Sequence, residues 1–301
     1  MSLVSLTRIR TDSVDSIKEA ISRSLDLLNY SFDKEIRKIV VKPNLCYYWD
    51  YSTGQTTDPK FVAALVDLVR EKISSNVEIN IVESDASAMK CEYAFRVLGF
   101  EKLARKYRIG LVNLSQDDTK VERFVAGGQS FNFMVPNTIA NADLKINIPK
   151  IKYTIEELKI TCALKNIYGC NPFQKKYKYH PRLAQAIVAL NHAMRFNLCL
   201  IDGNIVSGVQ PRKLGLVMAS EDPVAIDIAC AKIAGIKKPE TIELFQMASR
   251  EGLGNLNFVA KGVPLEYFKN FYPRKTVKKK LMGRAYRIAT MLGLSKRLGL
   301  S

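Results

Sequence analysis

The chain lacks most of the short signatures that announce a cofactor. Its six cysteines (Cys46, Cys91, Cys162, Cys170, Cys199 and Cys230) are scattered, with no C-x-x-C pair and no cluster. Neither a zinc site nor an iron–sulfur cluster is written in that spacing, and a cytoplasmic chain of this kind is expected to keep them as buried free thiols. There is no G-x-x-x-x-G-K-[ST] and no G-x-G-x-x-G, so the common nucleotide sites are not supported. Histidine is scarce, at two residues, and tryptophan scarcer, at one. No run approaches the roughly 20 apolar residues that a membrane span needs, and "MSLVSLTRIRTDSVDS" contains no apolar signal core. A cytoplasmic protein is the expectation. No repeat of fixed period and no low-complexity linker interrupts the chain.

What is present is the composition of an ordinary folded domain: 301 residues, 47% of them hydrophobic, with a formal net charge of +17. The charge is uneven. Residues 273–301 hold nine lysines and arginines and no acidic residue, which leaves +8 on the rest. Both parts therefore favour anionic partners. Two units are expected: an α/β domain over residues 1–272 and a basic amphipathic helical tail over 273–301. The tail places Val277, Leu281, Ala285, Ile288 and Leu292 along one helical face, which suits docking on the protein's own surface, an acidic lipid surface, an acidic protein or nucleic acid. It lacks the aromatic interleaving of single-strand binders, so the nucleic-acid reading is weak.

Strand-like and helical runs alternate. "RKIVVK", "VEINIVE" and "IGLVNL" read as strands separated by the helices "DPKFVAALVDLVREKI" and "EYAFRVLGFEKLARKY". The first helix has Asp58 as its cap and Pro59 at its first position. This βαβαβ order predicts a mostly parallel central sheet with helices on both faces. "QSFNFMV", "ADLKINIPK", "NLCLID" and "KLGLVMAS" add strands, and "AGGQS" reads as a hairpin turn. The spacing predicts a helix over 154–169 with Thr154 and Glu157 as a capping box, another from His180 with Pro181 near its start, and a third from its cap Asp222 to Gly235.

In open α/β sheets ligands bind beyond the carboxyl ends of the strands. The strands deliver Lys42 and Asn44, then Glu83, Ser84 and Asp85, then Asn147 and Lys150, then Asp202 to that edge. Solvated strand ends would explain any one of these. Together, K-P-N and K-x-N-x-P-K repeat one chemistry at two strand ends, and lysine ammonium groups with asparagine amides suit a carboxylate or phosphate. The loop "PNLCYYWDYSTGQTT" is longer than a βα connection usually runs and holds the single tryptophan.

Lys165 and Asn166 interrupt the otherwise apolar "ITCALKNIY". A lysine there must snorkel, pair with a carboxylate or face a polar cavity, where desolvation would fit it for proton transfer. His180 is placed for acid–base work at a helix N-terminus, or it is a plain cap. His192 reads as surface. Asp227 falls on an inner helix face and needs a cationic or N–H partner. Nothing in the spacing of Asp202, Asp227, Glu83 and Asp85 requires a metal.

"KPNL", "TGQTTDP", "IVESD", "AFRVLGFEKLARKY", "ADLKINIPKIK", "TCALKNIYG", "LIDG" and "MASEDPVAID", in this order, closely resemble the domain-of-unknown-function family DUF362 from about residue 38 to about 236. The resemblance implies an α/β domain, in a family often fused to or encoded near a ferredoxin-type domain with two iron–sulfur clusters. It singles out Lys42, Asn44, Thr57, Glu83, Lys145, Asn147, Lys150, Lys165, Asn166, His180, Asp202 and Asp227 as positions matching family motifs. This chain has no cysteine-rich ferredoxin segment, so any redox role would need a separate ferredoxin-type partner. The expected function is an enzyme holding a small anionic substrate. In that reading Lys42, Asn44, Thr57, Glu83, Lys145, Asn147, Lys150 and Asn166 bind it, and Lys165, His180, Asp202 and Asp227 are the catalytic candidates. The alternatives are a polyanion-binding protein and an accessory subunit of a redox complex.

Overall fold

Runs of isoleucine and valine bounded by lysine, glutamate and asparagine build the sheet, because buried parallel strands must be apolar on both faces. The computed structural model describes residues 1–45, 47–153, 158–208 and 210–273. β1 (Ser2–Arg8) and α1 (Val14–Leu28) open the chain. β2 (Lys38–Pro43), α2 (Pro59–Lys72), β3 (Glu78–Glu83), α3 (Cys91–Val97), α4 (Phe100–Tyr107) and β4 (Gly110–Asn113) complete the expected βαβαβ unit. A hairpin of β5 (Thr119–Ala126) and β6 (Gln129–Pro136) turns at Gly127 and Gly128, both at positive φ, and leads through α5 (Asn137–Ala140) to β7 (Leu144–Ile148). The remainder comprises β8 (Lys152–Tyr153), β9 (Ile160–Thr161), α6 (Ala163–Asn166), α7 (Leu183–Met194), β10 (Leu198–Val206), β11 (Arg212–Ser220), α8 (Pro223–Ile233), α9 (Glu243–Arg250), β12 (Phe258–Gly262) and α10 (Leu265–Phe271).

Eight strands form one sheet in the order β12-β1-β11-β10-β7-β2-β3-β4, antiparallel only where β11 meets β1 and β10. One face buries Ile39, Val41, Ile79, Ile81 and Ile146 under α1 to α4. The other buries Val40, Val82, Ile201 and Met218 under α6 to α10. The fold is therefore α/β with helices on both faces, as the sequence pattern predicts. Asp58 caps α2 through the Lys60 amide, and Asp222 caps α8 through the amides of Val224 and Ala225. The basic tail beyond residue 273 lies outside the described residues.

Three expectations need correction. The helix over 154–169 is not continuous: Ile160 and Thr161 pair antiparallel with Tyr153 and Lys152, and Lys159 takes a positive φ of 60°. Among its described residues only Ala163–Asn166 is α-helical, followed by a tight 3-10 turn at Ile167–Cys170. The Thr154 and Glu157 box lies outside the described residues. The helix through "AFRVLGFEKL" breaks at Gly99, whose φ of 85° ends α3 and starts α4. The helix expected from His180 begins at Leu183, because residues 176–182 form a 3-10 turn containing Pro181. β1 escapes the period-two pattern since its polar residues are buried: Ser5 bonds Ser24, and Thr7 donates to the Ala20 carbonyl.

Candidate functional site

Register brings the first polar residues together. Lys42 on β2 is level with Asn147 on β7, and Asn147 with Cys199 on β10, all at the carboxyl edge of the sheet. Beyond that edge lies a cavity of about 460 Å³. Lys42, Lys150, Lys152, Lys165 and Lys176 line it together with His180, Asn44 and Asn166, and among the described residues Glu83 is the one carboxylate in its wall.

Two buried ion pairs brace the wall. Lys42 Nζ donates to Glu83 Oε2 at 2.7 Å and to the Pro43 carbonyl at 2.7 Å, while Glu83 Oε1 accepts the Ser84 amide at 2.9 Å. Lys150 Nζ lies 3.0 Å from Asp202 Oδ2, which also accepts the Asp58 amide, and Oδ1 accepts the Asn204 amide. Such pairs persist in an interior when further hydrogen bonds share the load, and here the free oxygens of both carboxylates accept backbone amides. Asp58 is pushed up to about 6, first by burial and then by the charge of Asp202.

An amide chain fixes the middle of the wall. Asn44 Nδ2 donates to Asn166 Oδ1 at 3.0 Å, and Asn166 Nδ2 donates to Asn147 Oδ1 at 2.7 Å and to the Lys42 carbonyl at 3.2 Å. Asn147 passes a bond to the Ala163 carbonyl. Asn44 Oδ1 is buried in the cavity wall and meets no donor among the described residues.

The sequence-predicted residues thus divide. Lys42, Asn44, Glu83, Lys150, Lys165, Asn166 and His180 line the cavity. Asp202 stands behind Lys150. Asn147 supports Asn166, and Thr57 is a strut, donating to the Ile148 carbonyl and accepting the Asn44 amide. Lys145 is set apart: it is half-buried one pleat upstream on β7, its amine pushed down by burial and by the charge of Arg195. Asp227 is not at the cavity either. It is buried, its two oxygens accept the amides of Ala163 at 2.6 Å and Leu164 at 3.1 Å, and burial pushes its carboxyl up to about 8. Its place is to start α6, the turn that presents Lys165 and Asn166. Lys165 is half-buried with its ammonium 5.0 Å from the centre of the Tyr168 ring. His180 is exposed at the mouth, in the turn before α7 rather than at the helix end.

Sequence reasoning missed Lys176, Gly169 and the rim tyrosines. Lys176 is buried and donates to Ser84 Oγ at 2.6 Å, and its backbone carbonyl accepts the Tyr168 hydroxyl at 2.6 Å. The run "QKKYKY" hides it, because a string of lysines ordinarily marks a solvated face. A Cβ on Gly169 would come within 2.8 Å of Glu83 Oε1 and 2.9 Å of Lys42 Nζ, so any side chain here presses on the ion pair over which the turn closes. At the mouth, Tyr47 and Tyr177 line the cavity and are 48% and 59% exposed.

The sequence pattern of the family described as "Domain of unknown function (DUF362)" matches residues 39–232, which contain every cavity residue named above. The chain belongs to DUF362. A thylakoid-associated protein of Synechocystis sp. is 27% identical over 267 residues, covering 83% of this chain and 79% of that protein. The lactate racemase apoprotein from Thermoanaerobacterium thermosaccharolyticum is similar in structure with a TM-score of 0.44 at 11% identity, over 78% of this chain. This DUF362 chain spans 58% of the length of that racemase structure. Among its described residues no helix is long and apolar enough to cross a membrane. The five described cysteines are free and buried, and no three metal-ligating side chains of the His, Cys, Asp or Glu type gather at one point among the described residues.

Proposed function

We propose that this DUF362 protein is an enzyme whose cavity holds a small organic anion, a carboxylate or a phosphate. The observation that carries the reading is the meeting of five lysines from four separate stretches of chain around one hollow whose described wall holds a single carboxylate. Two of those lysines, Lys42 and Lys150, are each balanced by a buried acid, so they shape the wall and contribute polarity at modest net charge. Lys165 and His180 reach the cavity from its inner turn and its mouth, and they are the groups placed to meet a ligand and move a proton.

Isothermal titration with inorganic phosphate and acetate tests the reading, on the wild type and on Lys165→Met. The expected result is saturable binding that weakens by about tenfold or more in the variant, with an unchanged melting temperature. Unfolding of Lys165→Met, or unchanged affinity, would assign Lys165 a purely structural part. Turnover of any anion found to bind should be lost in the same variant.

A further inference from the structure

Lys42 and Lys150 each have a carboxylate; among the described residues Lys176 has none. It is 8% exposed, lines the cavity, and its amine has one described side-chain partner, the Ser84 hydroxyl. That hydroxyl is itself committed to the carbonyls of Gly169 and Asn171. Of the other titratable groups near the amine, Glu83 attracts it from a distance but is tied to Lys42, and burial pushes the thiols of Cys91 and Cys170 up. Burial holds the Lys176 amine below the usual lysine range; the charge of Glu83 opposes this, and the charge of Lys42 acts in the same direction as burial. A buried ammonium without an ion-pair partner of its own is costly, and a ligand's anionic group at this point reduces that cost.

The same cavity also carries a different chemistry. Leu45, Ala86, Met89, Tyr47 and Tyr177 make part of its wall apolar and aromatic, and both tyrosines show large ring faces to solvent. At about 460 Å³ the hollow is within the range that accepts a whole organic ligand, well beyond a bare phosphate or acetate. Lys176 and Tyr177 are consecutive in one 3-10 turn, so a single segment presents the charge inside and the ring at the mouth.

Resting on the reading of the cavity as an anion site, we propose that its ligand is an aromatic acid or aromatic phosphate, with the anionic head on Lys176 and the ring against Tyr47 and Tyr177. The head is a charge-assisted contact that fixes one end of the molecule, and the ring supplies the apolar area that fixes the other.

The test is calorimetric titration of the full chain with phenyl phosphate and benzoate against inorganic phosphate and acetate. Trp49, the single tryptophan, whose ring centre is 5.6 Å from that of Tyr47, gives a fluorescence signal local to the mouth. Each ring-bearing probe is expected to bind about tenfold tighter than its ringless counterpart. Tyr177→Ala should remove that gain and leave the ringless probes unchanged, while Lys176→Met should weaken all binding probes by about tenfold or more. Should Lys176→Met fail to fold, protection of Lys176 from reductive methylation by bound probe, read by mass spectrometry on the wild type, answers the same question. Equal affinity for ring-bearing and ringless probes, or no protection of Lys176, would overturn this inference alone. Absence of binding by all four probes would overturn the anion site with it.

Discussion

Lys42 Nζ stands 2.7 Å from Glu83 Oε2, and this contact is the joint between the carboxyl ends of β2 and β3. Removing one partner strands the other charge in the interior. Lys42→Met should therefore destabilise the protein by about 3–5 kcal/mol in urea denaturation, more than the double variant Lys42→Met with Glu83→Gln. A double variant as unstable as the sum of the two single changes would mean that the pair is not coupled.

Gly169→Ala probes the same joint from the other side. A methyl group placed 2.8 Å from Glu83 Oε1 must push the turn or the ion pair away. The expected loss is about 1–3 kcal/mol of stability, together with weaker anion binding. An alanine variant with wild-type melting and affinity would show that the turn has room to spare.

The buried carboxyl of Asp227 has a pH signature. Its value in the fold, about 8, is above the 3.8 of an unperturbed aspartate, so the folded state keeps a proton that the unfolded chain has released. Its contribution to stability is complete below about pH 4 and declines as the pH rises towards about 8. Asp227→Asn removes this dependence but also costs one of the bonds to Ala163 and Leu164. The melting deficit of the variant should be largest near about pH 5 and shrink by about pH 8, as followed by thermal melts across that window. A deficit that grows with pH would place the ionised carboxylate in the fold.

Deleting residues 274–301 separates the cavity from the basic tail. The truncated chain should bind inorganic phosphate with unchanged affinity in calorimetry. Salt-sensitive binding to a polyanion such as heparin, where present, should be lost with the tail. Loss of phosphate binding on truncation would instead favour a basic-surface function.

Strand ends are the legible part of the site. A parallel strand places its last residues at the ligand edge regardless of tertiary detail, so Lys42, Asn44, Glu83 and Lys150 can be named from runs of isoleucine and valine followed by charge. Partners are not legible. Nothing in the sequence says that Lys150 meets Asp202 rather than another acid, because that pairing depends on which strands are neighbours. Asp227 reads as catalytic for the same reason: a buried acid needs a partner, and periodicity cannot tell a backbone amide from a substrate. The helix expected over 154–169 is too long because an apolar run with helical spacing is also compatible with a short hairpin followed by a single turn. Lys176 is hidden by its lysine neighbours, since only packing under Tyr168 and against Ser84 distinguishes it from them.

The cavity wall draws on residues from Lys42 to His180, with Asp202 behind it, gathered at the edge of one continuous sheet. No short fragment of the chain could reproduce it, and whatever occupies it touches the ends of β2 and β3, the segment after β7 and the α6 turn at once. Occupancy should consequently register in the melting of the entire domain, which makes a thermal-shift survey of metabolite mixtures a direct route to the natural ligand.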